Sequence, residues 1–279
     1  MVTRSGESGY SIKELPSEKF YERLDSYLTF VSNYYSDSST LSYPYKNNEE
    51  IRSLFAKVVK YIKTQPSILN GEHLKVHQCN LFNYWIYEQI DSYCKHKTYQ
   101  PFQIFADFLL ALSGFTYYSK DNTCKLDNSM VIIPDRKERK ELYEYCIDHK
   151  TILDKSKLSN DNCKKYYTYV EKKIKLYEKF QALCSSRDVR KCPEFFYKIC
   201  ENKDPKLLLD QLSCKDEMVK EKQQLENAHN NDLASKRSNS FPGTQSVSDI
   251  GNVFLGVVVT SMTSGFLYKV NINLIKINQ

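Results

Sequence analysis

The chain has 279 residues, a formal net charge of +6, 41% apolar and 27% charged residues, and only 8 Gly and 8 Pro. That length allows one large or two ordinary domains with a core that needs no staples. The charge excess falls from +6 to +4 once Lys269 and Lys276 are set aside, which is too slight for a nucleic-acid binder. Sparse breakers and abundant Lys, Glu and Leu favour helices over a many-stranded sandwich.

A first amphipathic helix is predicted after Leu15-Pro16, where Phe20, Leu24, Tyr27, Leu28, Val31 and Tyr34 or Tyr35 fall on one stripe. The segment "NNEEIRSLFAKVVKYIK" predicts a second. Asn47 or Asn48 caps it, Ile51, Leu54, Phe55, Val58, Val59 and Ile62 are buried, and Gln65-Pro66 ends it. Residues 72–95 are apolar almost all round between Leu81 and Ile90, which suits the centre of a bundle and shields Trp85, the single tryptophan. Pro101 and Gly114 bracket another helix. The next starts at Pro134 or Asp135 and buries Leu142, Tyr145, Cys146 and Ile152 in some combination. Cys163, Tyr167, Val170, Ile174 and Tyr177 then form a heptad, which reads as an intramolecular seam. Pro193 opens a short helix. Asp204 and Pro205 begin a final one predicted to run to Asn227.

Residues 228–249 are polar, small and rich in breakers, the composition of a linker. Val253 to Tyr268 then runs for sixteen residues without a formal charge, nineteen if Ile250, Gly251 and Asn252 are included. A bilayer core asks for about twenty residues with a lower limit near seventeen, so a marginal transmembrane helix is predicted over 250–270. Its apolar body is Ile250, Val253, Phe254, Leu255, Val257, Val258, Val259, Met262, Phe266, Leu267 and Tyr268. Lys236 and Arg237 on one side balance Lys269 and Lys276 on the other, so charge does not orient it. A short tail, 271–279, follows. No apolar leader stands at the N-terminus and no N-x-[ST] sequon occurs.

No phosphate-binding loop, dinucleotide fingerprint or nucleophile elbow occurs, so no enzyme, cofactor or small-molecule substrate is expected. In "HLKVH" His73 and His77 would share a helix face, but Leu74 stands where a metalloprotease has its Glu. A solvated helix start is the more economical reading, and no metal is expected. The 22 tyrosines accompany many Lys, Asn and Ile, the bias of an AT-rich coding sequence, and mark no site by themselves. Nine cysteines are too few for a disulfide scaffold, an odd count leaves one unpaired, and buried inert thiols are the expectation. Geometry excludes Cys192 with Cys200 and Cys79 with Cys94, each too far apart along one helix. Cys184 and Cys192, flanking "SSRDVRK", are the most plausible close pair.

The stretches "LPSEKFYERLD", "CNLFNYWIYEQI", "LYEYCIDH", "KKYYTYVEKKIKLYEKF", "CPEFFYKICE", "DPKLLLDQLSC" and "LGVVVTSMTSGFLYKV" occur in that order. Together they resemble the Plasmodium interspersed repeat (PIR) superfamily, specifically the Vir variant proteins of Plasmodium vivax. The resemblance implies a mainly α, multi-helix domain over 1–227, a linker and one C-terminal transmembrane helix. It further implies export to the infected erythrocyte and roles in antigenic variation, immune evasion and adhesion, with a membrane and a host receptor or antibody as partners. Where the family carries a basic, Trp-containing cytoplasmic segment, this chain has "VNINLIKINQ". The alternative reading from the residues alone is a tail-anchored helical adaptor that binds intracellular proteins.

Overall fold

Helices form where an apolar stripe meets a capping group, and α-helix starts at Asn48, Gln100, Ser159 and Asp204 each have an identifiable one. The computed structural model describes residues 12–66, 74–121, 123–185 and 191–224, with Asn227. The chain divides into two units, Met1–Gln224 and Leu225–Gln279, and the description concerns the first. Its α-helices are α1 (Pro16–Tyr27), α2 (Glu49–Thr64), α3 (Gln78–Cys94), α4 (Pro101–Ser113), α5 (Arg136–Ser156), α6 (Asn160–Glu171), α7 (Ile174–Ser185), α8 (Pro205–Asp210) and α9 (215–224). A π-helical turn, Phe196–Cys200, precedes α8, and no strand occurs among the described residues.

Asn48 caps α2 by accepting the Ile51 amide, and Gln65 leaves that helix in the left-handed region at φ 39°. Gln100 and Gln103 close a reciprocal capping box on α4, with Pro101 at its first position. α1 stops at Tyr27, short of the stripe that predicted it. Lys60 of α2 donates its ammonium to the carbonyls of Tyr27 and Phe30, so the orphan acceptors are met from outside and the chain can turn. Leu28 and Val31 are buried all the same, through the 3-10 turns that follow.

Two cores share the domain. The first gathers Phe20, Leu24, Phe55, Val59, Phe82, Trp85, Ile86, Phe105, Phe108 and Tyr143 from α1 to α5. The second gathers Leu15, Leu142, Tyr145, Cys146, Tyr166, Val170, Tyr177, Phe180 and Leu208 from the rest. α5 serves both: Tyr143 faces the first core while Leu142, Tyr145, Cys146 and Ile152 face the second. Phe195 and Ile199 touch both, and Phe195 meets the Tyr143 ring edge-on at 5.1 Å.

α1 also crosses this boundary, and there its first turn lacks a local cap. Leu15 has no side-chain acceptor to offer. Asp148 of α5 supplies one: Ser17 donates its amide to Oδ1 at 2.9 Å and its hydroxyl to Oδ2 at 2.5 Å. The carboxyl is fully buried. Burial pushes it up to about 8, against the two bonds from Ser17, which pull it down.

Two predicted helices are broken. The heptad through Tyr177 divides at Lys172–Lys173, where Lys173 turns inward and its ammonium pairs with Glu141 at 2.6 Å. Cys163, Tyr167, Val170 and Tyr177 are buried and Ile174 partly so, hence the seam is intramolecular. The helix expected from Asp204 stops at Asp210, and α9 begins after a turn. A continuous helix carrying Leu208, Leu209 and Leu212 inward would next have buried Lys215 or Asp216. The turn resets the phase, so that Cys214 and Met218 are buried instead.

Between the ordinary carboxyl value of 3.8 and about 8, native Asp148 keeps a proton that the unfolded chain has lost. Its contribution to stability is therefore complete at low pH and declines as pH rises through that window. Asp148→Asn should flatten this slope while still offering a carbonyl to the Ser17 amide. Asp148→Ala should cost about 1–3 kcal/mol by stranding the Ser17 donors. Urea denaturation from pH 5 to 9, followed by Trp85 emission, measures both.

Candidate functional site

Eight of the nine cysteines are paired, contrary to the expectation of inert thiols. The bridges are Cys79–Cys124, Cys146–Cys200, Cys163–Cys214 and Cys184–Cys192, with Cα separations of 5.4, 5.3, 5.9 and 4.6 Å. The last joins residues eight apart in the chain. The other three join residues 45 to 54 positions apart, and no local spacing announces them. A weak signal did exist: Cys146 and Cys163 each lie on the apolar stripe of a helix, facing the second core.

Each bridge has supporting polar contacts. Around Cys146–Cys200, Lys203 donates its ammonium to the Cys146 carbonyl, and the Tyr145 hydroxyl donates to the Lys203 carbonyl. The Tyr177 hydroxyl reaches the carbonyls of Cys200 and Glu201. Tyr197 likewise donates to the Cys184 carbonyl at 2.7 Å. Asn83, buried in α3, donates to the carbonyls of Cys79 and Lys125 and accepts the Asp127 amide, holding both ends of the first bridge. Tyrosines that looked compositional are thus the hydrogen-bonding staples of the loops.

Of the histidine pair only His77 is described. His77 sits in a turn before α3, its Nδ1 2.9 Å from the Tyr143 hydroxyl, and His73 lies outside the described residues. Asn80 donates to that same hydroxyl. Burial and then Lys203 hold His77 below the usual imidazole range and His149 at about 4. Among the described residues no group of three or more His, Cys, Asp or Glu is placed to hold a metal ion. The remaining thiol, Cys94, is buried, and burial followed by Asp91 pushes it up, the reverse of what activates a nucleophile.

Two of the clefts among the described residues are roomy enough for a ligand. One of about 340 Å³ lies between α3 and the start of α5, and several of its charges are already engaged. Arg136 lies over the Tyr87 ring at 4.1 Å and donates to the Met130 and Ile133 carbonyls, while Lys140 pairs with Glu88 at 3.1 Å. The other, about 590 Å³, runs between α2 and α3 over an apolar floor of Ile51, Leu54, Ile90 and Ile104. Both shapes suit reversible contact. Elsewhere the outer face carries exposed ion pairs such as Lys179–Glu138 and Lys206–Glu178, which solvent screens.

The apolar body expected to span a membrane, Ile250 to Tyr268, and the linker before it lie outside the described residues. Among the described residues no helix is long and apolar enough to cross a membrane.

The loop-closure account ranks the bridges: a 54-residue loop contributes about 4 kcal/mol and an 8-residue loop about 2.5. Replacing Cys146 and Cys200 together by Ala should therefore lower the urea midpoint more than replacing Cys184 and Cys192. His149 supplies an acid limb. Between about pH 4 and 6.5 the unfolded imidazole holds a proton that the folded one lacks, so stability rises with pH there. His149→Gln should remove that rise in the same denaturation series.

No curated protein and no solved structure matches the chain. The sequence model of the family described as Plasmodium vivax Vir protein matches residues 15–251, from the residue before α1 to the start of the apolar run. That match spans α1 to α9 and all four bridges, and the chain belongs to the Vir family of Plasmodium variant surface antigens.

Proposed function

We propose that this Vir protein is a single-pass, membrane-anchored antigen of the infected erythrocyte whose helical domain is displayed on the oxidising side of the membrane. The observation that carries the reading is the pairing of eight of nine cysteines. Disulfides persist in extracellular and other oxidising compartments and are rare where glutathione keeps thiols reduced. A tail-anchored adaptor facing a cytosol would have to keep four bridges in a reducing medium, which disfavours that alternative.

The division of labour in the fold supports a role in antigenic variation and immune evasion. Long-range bridges and two buried cores hold the backbone, while the outer face is made of solvent-screened pairs whose exchange has little energetic effect. Surface residues can therefore change without loss of the fold, and antibodies or a host receptor would meet a different surface on the same scaffold. The open cleft between α2 and α3 is a suitable contact for adhesion. Residues 250–270 supply the anchor and 228–249 the spacer.

The anchor is near the minimum length and includes Thr260, Ser261, Thr263, Ser264 and two Gly within 253–268, so its insertion free energy is small. Val258→Arg adds about 2.5–3.5 kcal/mol on translocon scales and should release the protein from carbonate-washed membranes, while the unmodified chain stays. Protease added to intact infected cells should remove the 32.8 kDa species. Full protection, or loss of the unmodified chain to the carbonate wash, would overturn the reading.

A further inference from the structure

α4 is the most apolar of the described helices, yet among the described residues one whole side of it has no partner. Ile104, Phe105, Phe108, Ala111 and Leu112 pack inward. Phe102, Gln103, Ala106, Leu110 and Ser113 are exposed, a continuous stripe at helical spacing, with Phe102 50% and Leu110 68% open to solvent. The one charge between Pro101 and Phe115 is Asp107, and it is turned inward to accept the Ser42 amide. That bond brings the neighbouring Tyr43, 75% exposed, alongside the helix.

We propose that this face is where a second copy of the chain docks, α4 against α4, antiparallel about a two-fold axis at Ala106. The stripe is self-complementary about that residue. Placed antiparallel, Phe102 of one copy meets Leu110 of the other, Gln103 meets Leu109, and Ala106 meets itself. A two-fold interface requires each residue to face its reciprocal, and this register meets that condition. The small Ala106 at the crossing lets the axes approach to about 8 Å, at the close end of helix packing. An uncharged face also gives an acidic or basic partner nothing to pair with, whereas it matches its own copy.

The area sets the strength. At about 200 Å² per aromatic side chain, Phe102 and Tyr43 leave roughly 250 Å² open. Leu110, Leu109 and Ala106 bring the patch to on the order of 400 Å², about half of what each partner buries in a standard stable interface. The pair is therefore weak and dissociable in free solution. It becomes populated where copies share a surface that raises their effective concentration. That last step rests on the membrane anchoring proposed above; the face and its register do not.

The test uses the full-length chain, first in detergent micelles and then in proteoliposomes, with Ala106→Cys treated with a short bismaleimide. Lys150→Cys, on the exposed side of α5, is the reference. Ala106→Cys should give at least tenfold more dimer-sized product than Lys150→Cys. Adding Leu110→Glu should return the yield to the reference level, with helical circular dichroism and Trp85 emission unchanged. Differently tagged Phe102→Cys and Leu110→Cys chains should link to each other more than Phe102→Cys links to itself. Equal yields from Ala106→Cys and Lys150→Cys, or preferential linking of Phe102→Cys to itself, would overturn the proposal. Quenching of a fluorophore on Ala106→Cys by brominated lipid, without cross-linking, would replace the second copy by the bilayer. Carbonate extraction of the same proteoliposomes reports anchoring separately. Cross-linking in micelles that survives a failed extraction test sinks the anchor and leaves the pair standing.

Discussion

The domain depends on one buried joint, the pair of hydrogen bonds from Ser17 to Asp148. α1 begins against the second core and ends in the first, and α5 lines both. Any relative movement of the cores would tear the Ser17 amide and hydroxyl from the carboxyl that accepts them. A carboxyl there is costly to desolvate, and it is retained because the helix start has no local cap and an apolar side chain would strand two donors. The joint makes two modest cores behave as one body.

The bridges extend that logic to segments that cannot form helices long enough to stand alone. α8 and the π-helical turn are only six and five residues long. Isolated helices of that length are unstable in water. Cys146–Cys200 and Cys163–Cys214 fasten this region to α5 and α6, and the hydroxyls of Tyr145 and Tyr177 satisfy its carbonyls. Because covalent and buried contacts carry the fold, the solvent-facing residues are left with few structural duties. A family of variant antigens needs that separation.

Much of the domain was legible in the sequence for a physical reason: a stripe at 3.6-residue spacing with a cap admits few alternatives. Asn48, Pro101, Asp204 and the inward set of α2 are local signals, and each appears where the residues placed it, apart from Leu54, which is only partly buried. Where tertiary contact overrode the pattern, the helix ended early or divided. Lys60 ends α1, the inward turn of Lys173 divides the heptad helix, and the charged Lys215 and Asp216 force a turn before α9. Tyr143 escaped notice because a helix serving two cores has two stripes, and their sum blurs the period that reveals one.

Cysteine pairing could be bounded but not assigned from the chain. Rise per residue excludes partners along one helix, and only Cys184 and Cys192 are close enough in sequence for proximity itself to be an argument. The other three bridges exist because helices distant in the chain bring their apolar faces together, a fact that no window of residues contains. By itself the sequence determined the helical class, the capped boundaries, the family and the apolar run at 250–270, since each is written in local spacing or in residue order. The tertiary structure alone decided which thiols meet, which carboxyl is buried and which face of α4 is left open, because burial is a property of neighbours and not of the residue.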